Sequence, residues 1–236
     1  MNKIEILKTM INSSKRIVFF TGAGISTPSG IPDFRSSNGL FKQNVRAEEI
    51  IEHSFFFQNT IAFYEYYFNN LVYLNAKPNI AHKYIASLEK DKNIIVITQN
   101  IDNLHQMANS KNVLELHGSI YRNYCLNCHQ FYDISEINQT NYHCHKCNGL
   151  IKPDVVLYGE GLDYNIINRS ISAIKNADCL IIVGTSLSVY PAAGFIDYYR
   201  GDKLVVINRD HTHADAMANL VINDDLESVF KELSYD

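Results

Sequence analysis

Arg16-Ile17-Val18-Phe19-Phe20-Thr21 runs directly into Gly22-Ala23-Gly24-Ile25-Ser26-Thr27. A short apolar run without alternation is how a strand covered on both faces reads. Glycines at its end let the backbone turn tightly and approach a pyrophosphate. Thr27 stands where a third glycine completes the usual dinucleotide fingerprint, so a tight βα turn with no ligand explains this motif alone equally well.

Similar runs recur at Ile94–Thr98, Cys179–Val183 and Leu204–Ile207, separated by helical patterns at Asn79–Lys90, Tyr164–Asn176 and Pro191–Tyr199. This alternation predicts an α/β fold: a Rossmann-like, mostly parallel sheet with helices on both faces. Two segments break the pattern. Ala47–Asn75 is aromatic-rich and helical, and Asn123–Gly149 is polar and holds four cysteines. They read as insertions packed into a small zinc-ribbon/helical domain. The expected division is residues 1–41, 76–121 and 150–236 for the large domain, and 42–75 with 122–149 for the small one.

The 236 residues are 46% hydrophobic, enough for a large core. A net charge of -4, with Lys and Arg scattered, argues against a nucleic-acid surface. Met1–Ser14 has apolar residues at helical spacing and lacks the continuous run of a signal peptide. The longest apolar stretches are too short to span a bilayer. A soluble, cytoplasmic protein without a membrane partner is expected.

Four of five cysteines form Cys125-x-x-Cys128, fifteen residues, then Cys144-x-x-Cys147. Two such pairs suit tetrahedral zinc in a reducing compartment better than a disulfide framework. Four thiolates close the coordination sphere, so the metal is structural. His143 and His145 flank Cys144 but are not needed as ligands. Between the pairs lie two acids and no Lys or Arg, unlike a nucleic-acid ribbon. Cys179, inside a strand, reads as a buried small hydrophobe.

Three further clusters follow strand ends. Pro28-Ser29-Gly30-Ile31-Pro32-Asp33-Phe34-Arg35 supplies an acceptor, a ring and a cation on an irregular loop. Thr98-Gln99-Asn100-Ile101-Asp102-Asn103-Leu104-His105 gathers amides and a carboxylate beyond a strand's carboxyl end, where such sheets bind ligands. Helix capping explains one of those residues, not the set. Gly184-Thr185-Ser186-Leu187-Ser188-Val189 and Ile207-Asn208-Arg209 offer hydroxyls for phosphate and an amide for ribose. Finally, Leu114-Glu115-Leu116-His117-Gly118 ends an apolar strand in an imidazole, the side chain best matched to general-base work near neutral pH. A hydrogen-bonded structural histidine is the alternative.

Taken together and in this order, these motifs resemble the sirtuins, from about Arg16 to the final helix. The residues that carry the resemblance are Gly22 to Ser26, Gly30 to Arg35, Thr98 to Asp102, His117-Gly118, the four paired cysteines, Tyr158-Gly159-Glu160 and Gly184 to Ser186. The compact chain resembles bacterial forms, of the undifferentiated class. The resemblance implies an NAD-dependent protein-lysine deacetylase or deacylase. It would consume NAD, carry one structural zinc, and release nicotinamide and O-acyl-ADP-ribose.

On that resemblance the catalytic residues are His117, the general base, with Asn100 and Asp102. The NAD contacts are Gly22, Ala23, Gly24, Ser26, Thr27, Asp33, Phe34, Arg35, Gln99, Asn100, Ile101, Asp102, His117, Gly184, Thr185, Ser186, Asn208 and Asp225. Acyl-lysine substrate would meet Phe34, His117, Val156, Tyr158, Gly159, Glu160 and Tyr190, its backbone added as a strand between the Tyr158 segment and the loop at Ser188 to Tyr190. Two other functions fit parts of the pattern: a protein mono-ADP-ribosyltransferase, and a non-enzymatic NAD-sensing zinc-ribbon interaction protein. Sirtuins that prefer succinyl or malonyl lysine carry Tyr-x-x-Arg. Here Tyr64 is followed by Tyr67 where arginine is expected, which predicts preference for acetyl and other uncharged acyl groups.

Overall fold

A computed structural model describes residues 2–36, 39–44 and 46–235. Six parallel strands form the main sheet: β1 Arg16–Thr21, β2 Asn93–Thr98, β3 Val113–Glu115, β7 Cys179–Val183, β8 Leu204–Ile207 and β9 Leu220–Ile222. Their spatial order is β3-β2-β1-β7-β8-β9. The chain therefore builds outward from β1 in one direction, then returns to build outward from β7 in the other. The crevice between β1 and β7 is the topological switch point, where such sheets bind ligands.

The unbroken apolar runs have a direct cause. Ile17, Phe19, Cys179, Ile181, Val205 and Ile207 pack on one face against the helices Lys3–Asn12, Ile80–Ser87 and Leu226–Ser234. Val18, Phe20, Leu180, Ile182, Leu204 and Val206 pack on the other against the helix Tyr164–Lys175 and the 3-10 segment Ala192–Tyr198. Both sets of alternating side chains are covered, and Cys179 is simply one of them. The helix expected at Pro191–Tyr199 is thus a 3-10 segment.

A second, antiparallel sheet has the order β5-β4-β6, from β4 Gly118–Cys125, β5 Phe131–Tyr132 and β6 Ile151–Val155. It packs with the aromatic helices His53–Gln58 and Thr60–Asn70 around a third core that includes Phe56, Phe63, Tyr64, Tyr67, Ile120, Tyr132 and Ile151. Within this core Tyr64 stacks on Tyr142 at 4.4 Å between ring centroids. Among the described residues no helix is long and apolar enough to cross a membrane.

A candidate NAD cleft and a four-cysteine metal centre

The glycine turn after β1 is held by the turn after β7. Gly24 N–H donates to Gly184 O at 2.8 Å, and Gly22 N–H to Val183 O at 3.1 Å. A Cβ on Gly24 would lie 2.8 Å from Gly184 O, so the two loops touch only because both lack side chains. Gly184 also adopts φ +61°, a left-handed conformation that favours glycine. Asn79 braces this junction from outside: its Oδ1 caps the helix Ile80–Ser87, while its Nδ2 donates to Ile25 O and Ser29 Oγ.

Beyond these turns opens a cavity of about 750 Å³. Every residue assigned above to NAD or substrate lines it, drawn from the ends of β1, β2, β3, β6, β7 and β8 and from the start of the last helix. Many polar groups are engaged with one another. Asp102 accepts from Ser26 Oγ at 2.6 Å and from Leu104 N–H at 2.9 Å. Burial pushes its carboxyl upward, and these two bonds oppose the shift. Asn100 Nδ2 donates to Gly22 O and to Ser26 Oγ, leaving its amide oxygen for a ligand. Gln99 Nε2 donates to Thr185 Oγ1 at 3.0 Å, and Ser186 Oγ shares a hydrogen bond with Ser188 Oγ at 2.7 Å.

His117 sits where these groups converge. Its Nδ1 lies 2.8 Å from Gln99 O; a carbonyl only accepts, so Nδ1 carries the proton and Nε2 is the basic atom. Burial lowers its pKa below the ordinary 6.5, partly offset by the Gln99 carbonyl. The imidazole is therefore neutral at pH 7, as a base must be. Gly118 holds φ +76°, and a Cβ there would stand 1.8 Å from Asp154 O. Glycine after the histidine is thus required by the close passage of β6.

Several assigned residues have local duties. Asp33 Oδ1 accepts from the N–H groups of Arg35 and Ser36, closing the loop on itself. Arg35 pairs with Glu48 at 3.2 Å, donates to Tyr158 Oη, and lies over the Phe41 ring. Phe34 packs on Phe41 at 5.3 Å. Glu160 accepts from Lys152 Nζ and from Leu157 N–H. Tyr158 N–H donates to Ile51 O, and its own carbonyl accepts from His53 N–H. Asp225 caps the last helix through Ser228, and Asn208 Nδ2 donates to Asp210 O. Val156 N–H donates to His117 O, whereas Tyr190 is largely exposed. Phe41, Leu71, Tyr73 and Leu157 also line the cavity and were not anticipated; apart from the Tyr73 hydroxyl they carry no polar signature, and all four lie in no motif.

The four paired cysteines gather away from this cleft, their Sγ atoms all within 4.8 Å of one another. Each pair ends in the same turn: His129 N–H donates to Cys125 O and Asn148 N–H to Cys144 O, with φ +58° and +56°. Cys125 to Cys147 and Cys128 to Cys144 are 3.4 and 3.5 Å between sulfurs. Zn–S bonds of about 2.3 Å in a tetrahedron need sulfurs a little under about 4 Å apart, so the donor set fits zinc. His145 instead hydrogen-bonds Tyr132 Oη, and His143 the carbonyl of Asn148.

The Sir2 family profile matches residues 22–191. A relative named NAD-dependent protein deacetylase, from Clostridium perfringens (strain 13 / Type A), is 54% identical over 97% of each chain. The chain belongs to the Sir2 family. Among solved Sir2 structures, one described as a complex with deacetylated p53 peptide and 3'-O-acetyl ADP ribose is 36% identical. It superposes with a TM-score of 0.90 over 98% of this chain and 97% of its own. Another, described as Sir2 with p53 peptide and NAD+, is 39% identical with a TM-score of 0.88, covering 99% and 97%. The Sir2 fold accounts for the position of the cleft, at the β1/β7 switch point between the parallel sheet and the metal-bearing sheet.

Proposed function

We propose that this Sir2 protein removes acetyl and other uncharged acyl groups from protein lysines at the expense of NAD, with His117 as general base. The balanced reaction is acyl-lysine, NAD and water to lysine, nicotinamide and O-acyl-ADP-ribose. NAD supplies an electrophilic ribose carbon with nicotinamide as leaving group. One observation carries the assignment of the base: Nδ1 of His117 is fixed on the Gln99 carbonyl, so Nε2 is the unprotonated nitrogen at the meeting point of the polar loops.

The donor set supports NAD as the ligand. The Gly22–Gly24 turn and the hydroxyls of Thr27 and Ser186 suit phosphates. The amides of Asn100 and Asn208 suit sugar hydroxyls, and Phe34 with Ile101 gives a ring an apolar wall. Asp102 acts by holding Ser26 and the Asn100 loop in place. Arg35 ties the irregular loop Gly30–Arg35 to Glu48 and Tyr158. Tyr158 already pairs its backbone with Ile51 and His53, and Val156 N–H with His117, so an incoming strand would use the Val156 carbonyl and the Gly159 backbone.

The third core supports a small domain that includes residues 42–75 and 122–149, set on a large one of 1–41, 76–121 and 150–236, with Ile120, Ile151, Val155 and Leu157 of the large domain's ranges joining that core. Unpaired cysteines gathered for zinc suit a reducing cytoplasm. The reading is tested by mass spectrometry of an acetyl-lysine peptide and free nicotinamide. Loss of acetyl with stoichiometric nicotinamide release supports it. Gain of ADP-ribose on the protein substrate would instead indicate a transferase, and no nicotinamide release a sensor.

A further inference from the structure

Strand β6 leaves the antiparallel ladder at Val155, which pairs with Gly118. The chain runs on toward Glu160, and every residue from 155 to 160 lines the cavity. Past the ladder, Val156 N–H donates to His117 O, and Tyr158 exchanges backbone hydrogen bonds with Ile51 and His53. Side chains supply further support. Residues 157–160 form a turn closed at both ends: Glu160 N–H donates to Leu157 O at 3.0 Å, and Leu157 N–H donates to Glu160 Oε2 at 2.8 Å. Gly159 sits inside that turn at φ +86°. The same Oε2 accepts from Lys152 Nζ at 3.0 Å, and Nζ also donates to Val155 O at 2.9 Å and to Pro153 O at 3.3 Å.

This ion pair is unlike the others. The Lys152 and Glu160 side chains are 15% and 21% exposed, whereas in every other ion pair among the described residues at least one partner is 37% exposed or more. Covering two charges is costly, and apolar side chains of similar size often serve stability as well or better, so stability alone gives no reason for the pair. Lys152 is not part of the cavity wall. We propose that Lys152 is a positioning residue for substrate: through Glu160 and the Val155 carbonyl it fixes the backbone of residues 156–159, against which the chain flanking an acyl-lysine pairs. A neighbouring strand would give the same rigidity but occupy the edge that the substrate needs; a side-chain ammonium leaves it open. An edge held in place beforehand lowers the ordering cost at binding. The inference rests on the deacylase reading above.

The test measures KM for NAD, and kcat and KM for an acetyl-lysine peptide and for the same peptide N-methylated at the amides flanking the acetyl-lysine. In wild type, N-methylation is expected to raise peptide KM about tenfold by removing strand pairing. Lys152→Met is expected to raise KM for the unmodified peptide about tenfold. N-methylation then adds at most about twofold, because the two changes remove the same contribution. The kcat of Lys152→Met and its KM for NAD stay within about twofold of wild type. Lys152→Arg keeps the cation and its donors, and restores both the peptide KM and its sensitivity to N-methylation. Glu160→Gln keeps an oxygen for Leu157 N–H but loses the charge; it should raise peptide KM about threefold, and it carries the test if Lys152→Met does not fold. An unchanged peptide KM, a loss confined to kcat, or a KM for NAD that rises in step overturns this inference alone. A wild type that turns over no acyl peptide overturns the deacylase reading and this one with it.

Discussion

The parallel sheet and the metal-bearing unit solve the same problem by different means. In the sheet, every residue of β7 is buried and its side chains alternate between two apolar cores. Fully burying each such side chain contributes about 1.5–3 kcal/mol, so this region holds itself together. The antiparallel unit has three strands, one of only two residues, and a core that mixes aromatic rings and aliphatic side chains with two of the cysteines. Its turns converge on four sulfurs that repel one another as thiolates unless a cation joins them. The lesson is a division of labour: burial builds the floor of the cleft, and metal coordination builds its other wall.

Breaking the metal centre should separate the two most clearly. Cys125→Ser, or chelation, is expected to abolish activity and collapse the near-ultraviolet signal of the Tyr64–Tyr142 stack, while the parallel sheet keeps a cooperative melt. Structural zinc stabilises folding directly, by about 10 kcal/mol or more in small zinc units. A metal-free protein that keeps both its melting profile and its aromatic signal would contradict the structural role. Gly118→Ala attacks the seam between the units. Left-handed backbone and a Cβ against Asp154 should cost about 3 kcal/mol or more, read as a lowered midpoint in urea.

Acid should probe the sheet region through a pair of buried histidines. His82 and His105 are buried there with ring centroids 4.7 Å apart, and three of their four ring nitrogens lack partners among the described residues. Burial lowers His82 to about 4 and His105 well below 6.5, the latter also through His82. The unfolded chain therefore binds these protons more readily than the folded one. Stability is full above about pH 6.5 and falls as pH drops toward about 4, by up to about 1.4 kcal/mol per pH unit for each proton. His82→Gln should flatten the profile of melting temperature against pH in that window. An unchanged slope would show that the pair does not titrate on unfolding. Smallest in effect is acyl choice: without a cation beside Tyr67, acetyl peptide should exceed succinyl peptide in kcat/KM, and the reverse order would refute the preference.

The same contrast governs how far the sequence could be read. Strands β1, β2, β7 and β8 were legible because burial on both faces leaves continuous apolar runs. Strand β9 has only three residues, Leu220-Val221-Ile222, too few to declare a period. In the antiparallel unit the cysteine spacing announced a metal, but the sheet around it did not announce itself; the aromatic stretch is helical as its sequence reads, divided into the helices Ala47–Ile50, His53–Gln58 and Thr60–Asn70. At the cleft, spacing located the loops but could not divide their labour. Asp225 and Glu160 are polar residues beside a ligand cavity, and only coordinates reveal that one caps a helix and the other holds Lys152 and Leu157.

The central claim is that His117 Nε2 serves as the base in an NAD-consuming deacylation. Its most direct test is the rate of acetyl loss from a peptide by His117→Ala, with wild type measured from pH 5 to 8. The variant should retain its melting temperature within a few degrees and lose about 10²–10⁴-fold in turnover. Because burial lowers the pKa of His117, wild-type activity should hold as pH falls to 6.5 and decline only below it. A folded His117→Ala protein with near-wild-type turnover would contradict the account.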